Sequence, residues 1–298
     1  NDLGIGIRVL RNGAWGYAAT QNLADDEVLK VARLASELAE ASALLSRKPV
    51  KLAPVEAHTS SWKTPYKEDP FAVSIKEKRA LLQDTMKRAA KVPGISSVGG
   101  YLSFKRYETI FGASNGTRFD QVVMIPGIEL SIMAGDGRGA QSRSWPSSHG
   151  GLTCTGGFER LRSMVKSESL VQTAEEAVEL TSAPACPEGV FTVVIAPDQL
   201  SLQIHESIGH PLELDRVFGV EANFSGTSFA TVDKLNKLQY GSELLNVVTD
   251  PTEEGVLGGY GFDDDGVPAG SFPLITDGVL VGYLSGRETA WRIGKAST

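Results

Sequence analysis

Thiols are nearly absent from this chain: Cys154 and Cys186 are the two cysteines in 298 residues. That excludes a disulfide framework and leaves no CxxC pair from which to build a structural zinc site, so both read as small buried or surface thiols. Long apolar runs are missing too. No stretch approaches the roughly 18 residues that a membrane span needs, and no charged-then-apolar leader opens the chain; the expectation is a cytoplasmic protein with no membrane partner. Positive charge is in deficit, with 29 Lys and Arg against 36 Asp and Glu and a net charge of -7. Such a balance opposes the phosphate-neutralising surface of a direct nucleic-acid binder. Histidine is scarce, four in all. Two of the four fall within one hexapeptide, His205 to His210.

What remains is an ordinary globular composition, 41% hydrophobic and 22% charged. A chain of this length buries at least one large core and favours two domains. Gly4 to Leu10 and Ala14 to Ala19 read as strands joined by the tight-turn pair Asn12 and Gly13. A chain that starts so abruptly with a strand and without methionine suggests an absent N-terminal piece. Leu23 to Leu45 has helical periodicity through Val28, Val31, Ala32, Ala35, Leu38, Ala39 and Ser42, with Asn22 and Asp25 as caps. Residues 47 to 73 lose periodicity around Pro49, Pro54, Pro65 and Pro70, which places a subdomain break there. Ser74 and Glu77 have capping-box spacing ahead of a second helix that Pro93 and Gly94 end.

Between Val98 and Met133, apolar runs broken at Ser114 to Gly116 and again at Pro126 and Gly127 predict an antiparallel meander. Gly135 to Gly157 reads as a mobile loop, Ser167 to Thr181 as a helix, and Val190 to Ala196 as a strand. The expected class is α+β: a helix-and-antiparallel-sheet region over residues 1 to 186, then a β-rich domain over 187 to 298 that carries the histidine helix.

Pro197 and Asp198 start that helix, and Leu200, Ile204 and Ile208 are placed toward the core. Neutral imidazole is a good zinc ligand, and a glutamate beside the metal can take a proton from bound water. In the better-known HExxH pattern the histidines lie four residues and about 40° apart around the helix. His205 and His210 lie five apart, which on an ideal helix means about 140°. A π-type turn, or termination at the permissive Gly209, would swing His210 back toward His205. The bland alternative is a satisfied buried His205, a solvated Glu206 and a helix-end His210. Spacing alone leaves both open.

The run HESIGHPLELDR, His205 to Arg216, resembles the HExxxH segment of the catalytic subunits of the TldD/PmbA family. EANFSGTSF (Glu221 to Phe229), YGSELLNVVT (Tyr240 to Thr249), GFDDDGVP (Gly261 to Pro268) and DGVLVGYLSGRE (Asp277 to Glu288) are similar to that family's downstream segments, in order. The resemblance implies a zinc peptidase with His205 and His210 as Zn2+ ligands and Glu206 as general base. It implies unfolded or short peptides as substrates, and a homodimer or a heterodimer with a related subunit that lacks the motif. The family's third ligand is a downstream cysteine, and none follows Cys186 here; the expectation is that it lies beyond residue 298. Cys154 and Cys186 match no family ligand position. An older family label, modulator of DNA gyrase, keeps a non-enzymatic regulatory protein as the rival.

Glu213 and Asp215 either approach the metal and its ligands or are helix-end charges. Asp263 to Gly266 lacks the alternating ligands of a calcium loop and reads as an exposed turn. His58 and His149 read as surface residues. The cluster Gly255 to Gly261 lacks a phosphate-loop lysine and reads as flexible backbone.

Overall fold

The computed structural model describes residues 2–46, 48–135, 139–295 and 297. Arg47, residues 136–138 of the expected loop and Thr298 therefore lie outside the described residues. The chain divides into two units, residues 1–55 with 285–298, and residues 56–284. Among the described residues no helix is long and apolar enough to cross a membrane.

In the first unit, strands β1 (Ile5–Arg11) and β2 (Ala14–Thr20) form an antiparallel hairpin. Asn12 and Gly13 both take positive φ, 52° and 76°, as a two-residue turn of this hand requires. Helix α1 (Asp25–Leu45) packs on the hairpin through Val31 and Ala35 against Ala18, Ile7 and Val9. A Cβ at Gly16 would lie 2.0 Å from the Ala35 carbonyl oxygen, so glycine is what lets β2 approach the helix backbone. The expected cap is displaced. Ala24 occupies the cap position with no side-chain bond, while Asn22 Oδ1 accepts from Ala24 N just outside the helix. Asp25, Asp26 and Glu27 supply first-turn negative charge instead.

The second unit is organised by a sheet. Strand β3 (Thr59–Lys63) lies inside the segment expected to be irregular. Its one large apolar side chain, Trp62, is too little pattern to declare a strand. Helix α2 (Ile75–Ala90) begins as its sequence predicts, with Ser74 Oγ accepting from Glu77 N at 3.2 Å. Two strands of 18 residues, β4 (Ile95–Gly112) and β5 (Arg118–Gly135), run antiparallel for almost their whole length. Pro126 does not interrupt β5. Its carbonyl accepts from Cys154 N, so its nitrogen also faces away from β4 and no bond of that ladder is lost.

β3 pairs parallel with the start of β5. Strands β6 (Ala140–Trp145) and β7 (Leu152–Thr153) pair with its later half, where a loop was expected. The physical reason is Trp145, which is 1% exposed and donates Nε1–H to Ser169 Oγ at 3.0 Å. Helices α3 (Phe158–Met164) and α4 (Ser169–Glu179) complete this core: Phe158, Leu161, Leu170, Ala174 and Ala177 pack with Ile128, Leu130 and Ile132 of β5.

Beyond Ala185 the chain is mostly turns and short elements. Residues 190–196, expected as a strand, form none and pair with no described strand, and Val190 and Val194 are fully exposed. A short β-branched apolar run predicts a strand; it does not supply a partner. Helix α5 (Pro197–Ile204), a short α6 (Leu214–Val217), and a three-stranded sheet of β8 (Val247–Thr249), β9 (Phe272–Thr276) and β10 (Val279–Leu280) follow. The α+β class holds, with the histidine-bearing helix in the C-terminal half.

Candidate metal centre

Pro197, at the first position of α5, is pre-set for helix and has no amide hydrogen to leave unpaired. Asp198 anchors that end to the loop after β6. Its Oδ2 accepts from Ser148 N at 3.0 Å and from Ser148 Oγ. Those bonds, the hydroxyl's first, lower the Asp198 carboxyl to about 2. Of the three residues placed toward the core, Ile208 is 7% exposed, while Leu200 and Ile204 are 39% and 38% exposed. The helix therefore lies on the surface, and only its last turn is seated.

That last turn is wound more widely than an α-helix. His205 to Gly209 form a π-helical turn in which His210 N donates to His205 O. The winding brings the two imidazoles together, with ring centroids 4.4 Å apart and ring planes at 83°. Gly209 does not supply this by unusual backbone freedom. Its φ and ψ are -53° and -68°, ordinary right-handed values, and a Cβ there would meet nothing nearer than the Ile204 oxygen at 3.8 Å. Pro211 gives a better account. An α-helical Ser207 carbonyl would take the amide hydrogen of residue 211, and proline has none. Tyr240 fills the vacancy by donating its hydroxyl to Ser207 O. Burial pushes that phenol's pKa up. Phe229 packs on Tyr240 with centroids 5.5 Å apart, and Ser228 Oγ donates to Pro211 O, so the segment EANFSGTSF braces the same turn.

His205, Glu206 and His210 each offer a ligand atom, and these atoms lie within 4.8 Å of one another. Two nitrogens on metal bonds of 2.0–2.1 Å stand at most about 4.2 Å apart, so the residues present fit a small divalent cation after a slight side-chain adjustment. The side chains of His205 and Glu206 are 61% and 59% exposed, and that of His210 is 29% exposed. His205 and Glu206 thus stand open to solvent, while His210 is the more sheltered of the two histidines. Glu206 Oε1 stands 3.8 Å from His205 Nε2.

The remaining candidates sort clearly. Glu213 reaches His210, with Oε1 2.9 Å from Nδ1. Asp215 and the cysteines do not join the group of three: Cys154 is buried, with Sγ directed at Pro126 O, and Cys186 is exposed. His149 is exposed, as expected. His58 is not a surface residue. It is half-buried, stacks on Phe262 at 5.0 Å, and engages Ser60 Oγ at 3.0 Å and Gly266 O at 2.9 Å. The Asp263 to Gly266 segment is a turn, closed by Asp263 Oδ1 accepting from Asp265 N and Val267 N, but of its four residues only Asp264 is exposed. Gly261 is a close-packing position against Trp62 rather than a flexible one. Tyr240 and Arg216 went unassigned from sequence. The proline two residues beyond Gly209 was the available signal that a donor from elsewhere must serve the turn.

Two family models match in order, "PmbA/TldA metallopeptidase domain 1" over residues 1–39 and "PmbA/TldA metallopeptidase C-terminal domain" over 188–298. A metalloprotease of Methanocaldococcus jannaschii is 30% identical over 97% of this chain and 61% of its own length. This chain accordingly spans about three fifths of the curated relatives it matches. A Thermotoga maritima crystal structure, described as a candidate modulator of a DNA gyrase, superposes with TM-score 0.72 at 20% identity, over 99% of this chain and 63% of the other. TldE from Thermococcus kodakarensis superposes with TM-score 0.64 at 16% identity, over 98% and 62%. Those two likenesses establish the fold. With both family domains matched in order and a curated relative aligned along nearly the whole of this chain, the chain belongs to the PmbA/TldD metallopeptidase family.

Proposed function

We propose that this chain carries the metal-binding part of a zinc-dependent peptidase that hydrolyses unfolded or short peptides, with residues 187–298 as its metallopeptidase domain. The region 1–186, with its break near 47–73, is the supporting part. The observation that carries the reading is the π-helical turn that gathers donor atoms of His205, Glu206 and His210 within 4.8 Å.

In this reading His205 and His210 hold zinc, which suits imidazole and performs no redox chemistry. When bound, the cation supplies a water of lowered pKa and polarises a carbonyl. Glu206, exposed beside His205, takes the proton from that water and returns it to the departing amine. Peptide backbone captured in extended form explains acceptance of many sequences, because main-chain hydrogen bonds are common to all of them. A cytoplasmic location, and a homodimer or a pairing with a related subunit such as TldE, complete the proposal.

Glu206→Gln tests the assignment. Zinc content per full chain stays at the wild-type level, while cleavage of an unfolded test peptide falls about 10²- to 10⁴-fold. Wild-type cleavage by that variant rules the role out. The description of the Thermotoga maritima neighbour favours a second reading, a non-enzymatic regulatory protein. It predicts partner regulation that survives complete removal of metal.

A further inference from the structure

We propose that Glu213 is a positioning residue for His210, fixing the ring so that Nε2 alone faces the cation, and that Arg216 fixes Glu213 in turn. This rests on the reading of His210 as a metal ligand and assigns a function to two residues outside the HExxxH pattern.

The two oxygens of one carboxylate are divided between two partners. Glu213 Oε1 lies 2.9 Å from His210 Nδ1, and Oε2 accepts from Arg216 Nε at 3.0 Å. An ionised carboxylate only accepts hydrogen bonds, so the ring nitrogen facing it carries the hydrogen. A neutral imidazole protonated at Nδ1 keeps its lone pair at Nε2. Carboxylates that hold the far nitrogen of a metal-bound histidine in this way set both tautomer and ring orientation.

The backbone makes Glu213 a fixed post. It stands between the 3-10 turn of residues 210–212 and α6, and forms a parallel bridge with Leu284. Leu284 N donates to Leu212 O and Leu214 N to Leu284 O, both at 2.9 Å. Leu212 and Leu214 are completely buried on either side of it. Arg216 is tied further, with Nη1 donating to Ser225 O at 3.3 Å and Nε 3.8 Å from Glu221 Oε2. The chain His210–Glu213–Arg216 therefore runs into the sheltered side of the site, with its side chains 20–31% exposed, while His205 and Glu206 stand on the open side. Of the two histidines, His210 is the one oriented before any cation arrives.

The experiment titrates the full chain with Zn2+ against a chromophoric chelator and records the visible spectrum with Co2+, for wild type, Glu213→Ala, Glu213→Gln, Arg216→Met and His205→Ala. Melting of the metal-free proteins checks that each variant folds. Glu213→Ala is expected to bind zinc 10- to 100-fold more weakly, with an altered cobalt spectrum. Glu213→Gln, which keeps an acceptor on the same stem, recovers part of the loss, and Arg216→Met shows a smaller loss in the same direction. Folded Glu213 variants with wild-type zinc affinity and an unchanged spectrum overturn the positioning role while leaving the metal site standing. A wild-type chain that binds no cation, or a His205→Ala variant that binds as tightly as wild type, overturns the metal reading and this proposal with it.

Discussion

Pro211 exerts its effect through the hydrogen it lacks. Without an amide at position 211, continuation of the α-helical ladder gains nothing, and the Ser207 carbonyl becomes free for the Tyr240 hydroxyl. Gly209 looks from sequence like the residue that permits the turn, yet it sits in the right-handed region with room for a Cβ. Gly209→Ala should therefore keep zinc affinity within about threefold of wild type while raising helix stability by about 1 kcal/mol or less. Chelator competition and thermal melting check this; a tenfold loss of affinity would restore the glycine to the argument. The histidine pair and its glutamate were legible because their chemistry lies in the side chains and their spacing in the chain. Glu213 was legible as a carboxylate in range, with its destination open. Tyr240 was not legible, because it joins the turn from 33 residues away.

At the scale of the element, the π turn is a device with two supports, the wide backbone bond from His210 N to His205 O and the phenol from outside. Tyr240→Phe removes the second while preserving the packing against Phe229. A net loss of about 0.5–1.5 kcal/mol in denaturant unfolding is expected. Zinc affinity should fall with it, because the turn is then free to rewind and part the rings. Unchanged affinity would show that the backbone alone holds the turn.

Other elements show where pattern reading ends. The hairpin of residues 5–20, α1, α2 and α4 follow their periodicity and turn residues closely. β6 was hidden by a glycine- and serine-rich sequence in which only Trp145 carries large apolar surface. Pro126 leaves β5 unbroken, because a proline disturbs a strand only on the side its nitrogen faces. Residues 190–196 have a strand's β-branched composition without a strand's partner.

For the molecule as a whole, the α+β class followed from the order of elements, whereas the compact units did not. Residues 285–298 join the N-terminal unit, a long-range association that local pattern does not encode. Stability at high pH offers a global test. Tyr283 is 4% exposed, and its hydroxyl lies 2.9 and 3.0 Å from the carbonyls of Ala230 and Thr231. Burial, then the nearby Asp233 charge, push its pKa up to about 12 from 10.0. An acid held neutral in the fold contributes fully below its unfolded value and loses that contribution as pH rises toward the folded one. Denaturant melts should thus show stability falling from about pH 10 to pH 12. Tyr283→Phe should be less stable at neutral pH but flatter across that window. A variant whose alkaline limb matches wild type would remove Tyr283 from the account.

The central claim is that a widened helical turn delivers two imidazoles five residues apart to one cation. X-ray absorption on the zinc-loaded full chain measures this directly. The account predicts two imidazole nitrogens at about 2.0–2.1 Å, falling to one in His205→Ala and in His210→Ala. A zinc ion bound stoichiometrically with one imidazole or none in the wild-type chain would contradict it.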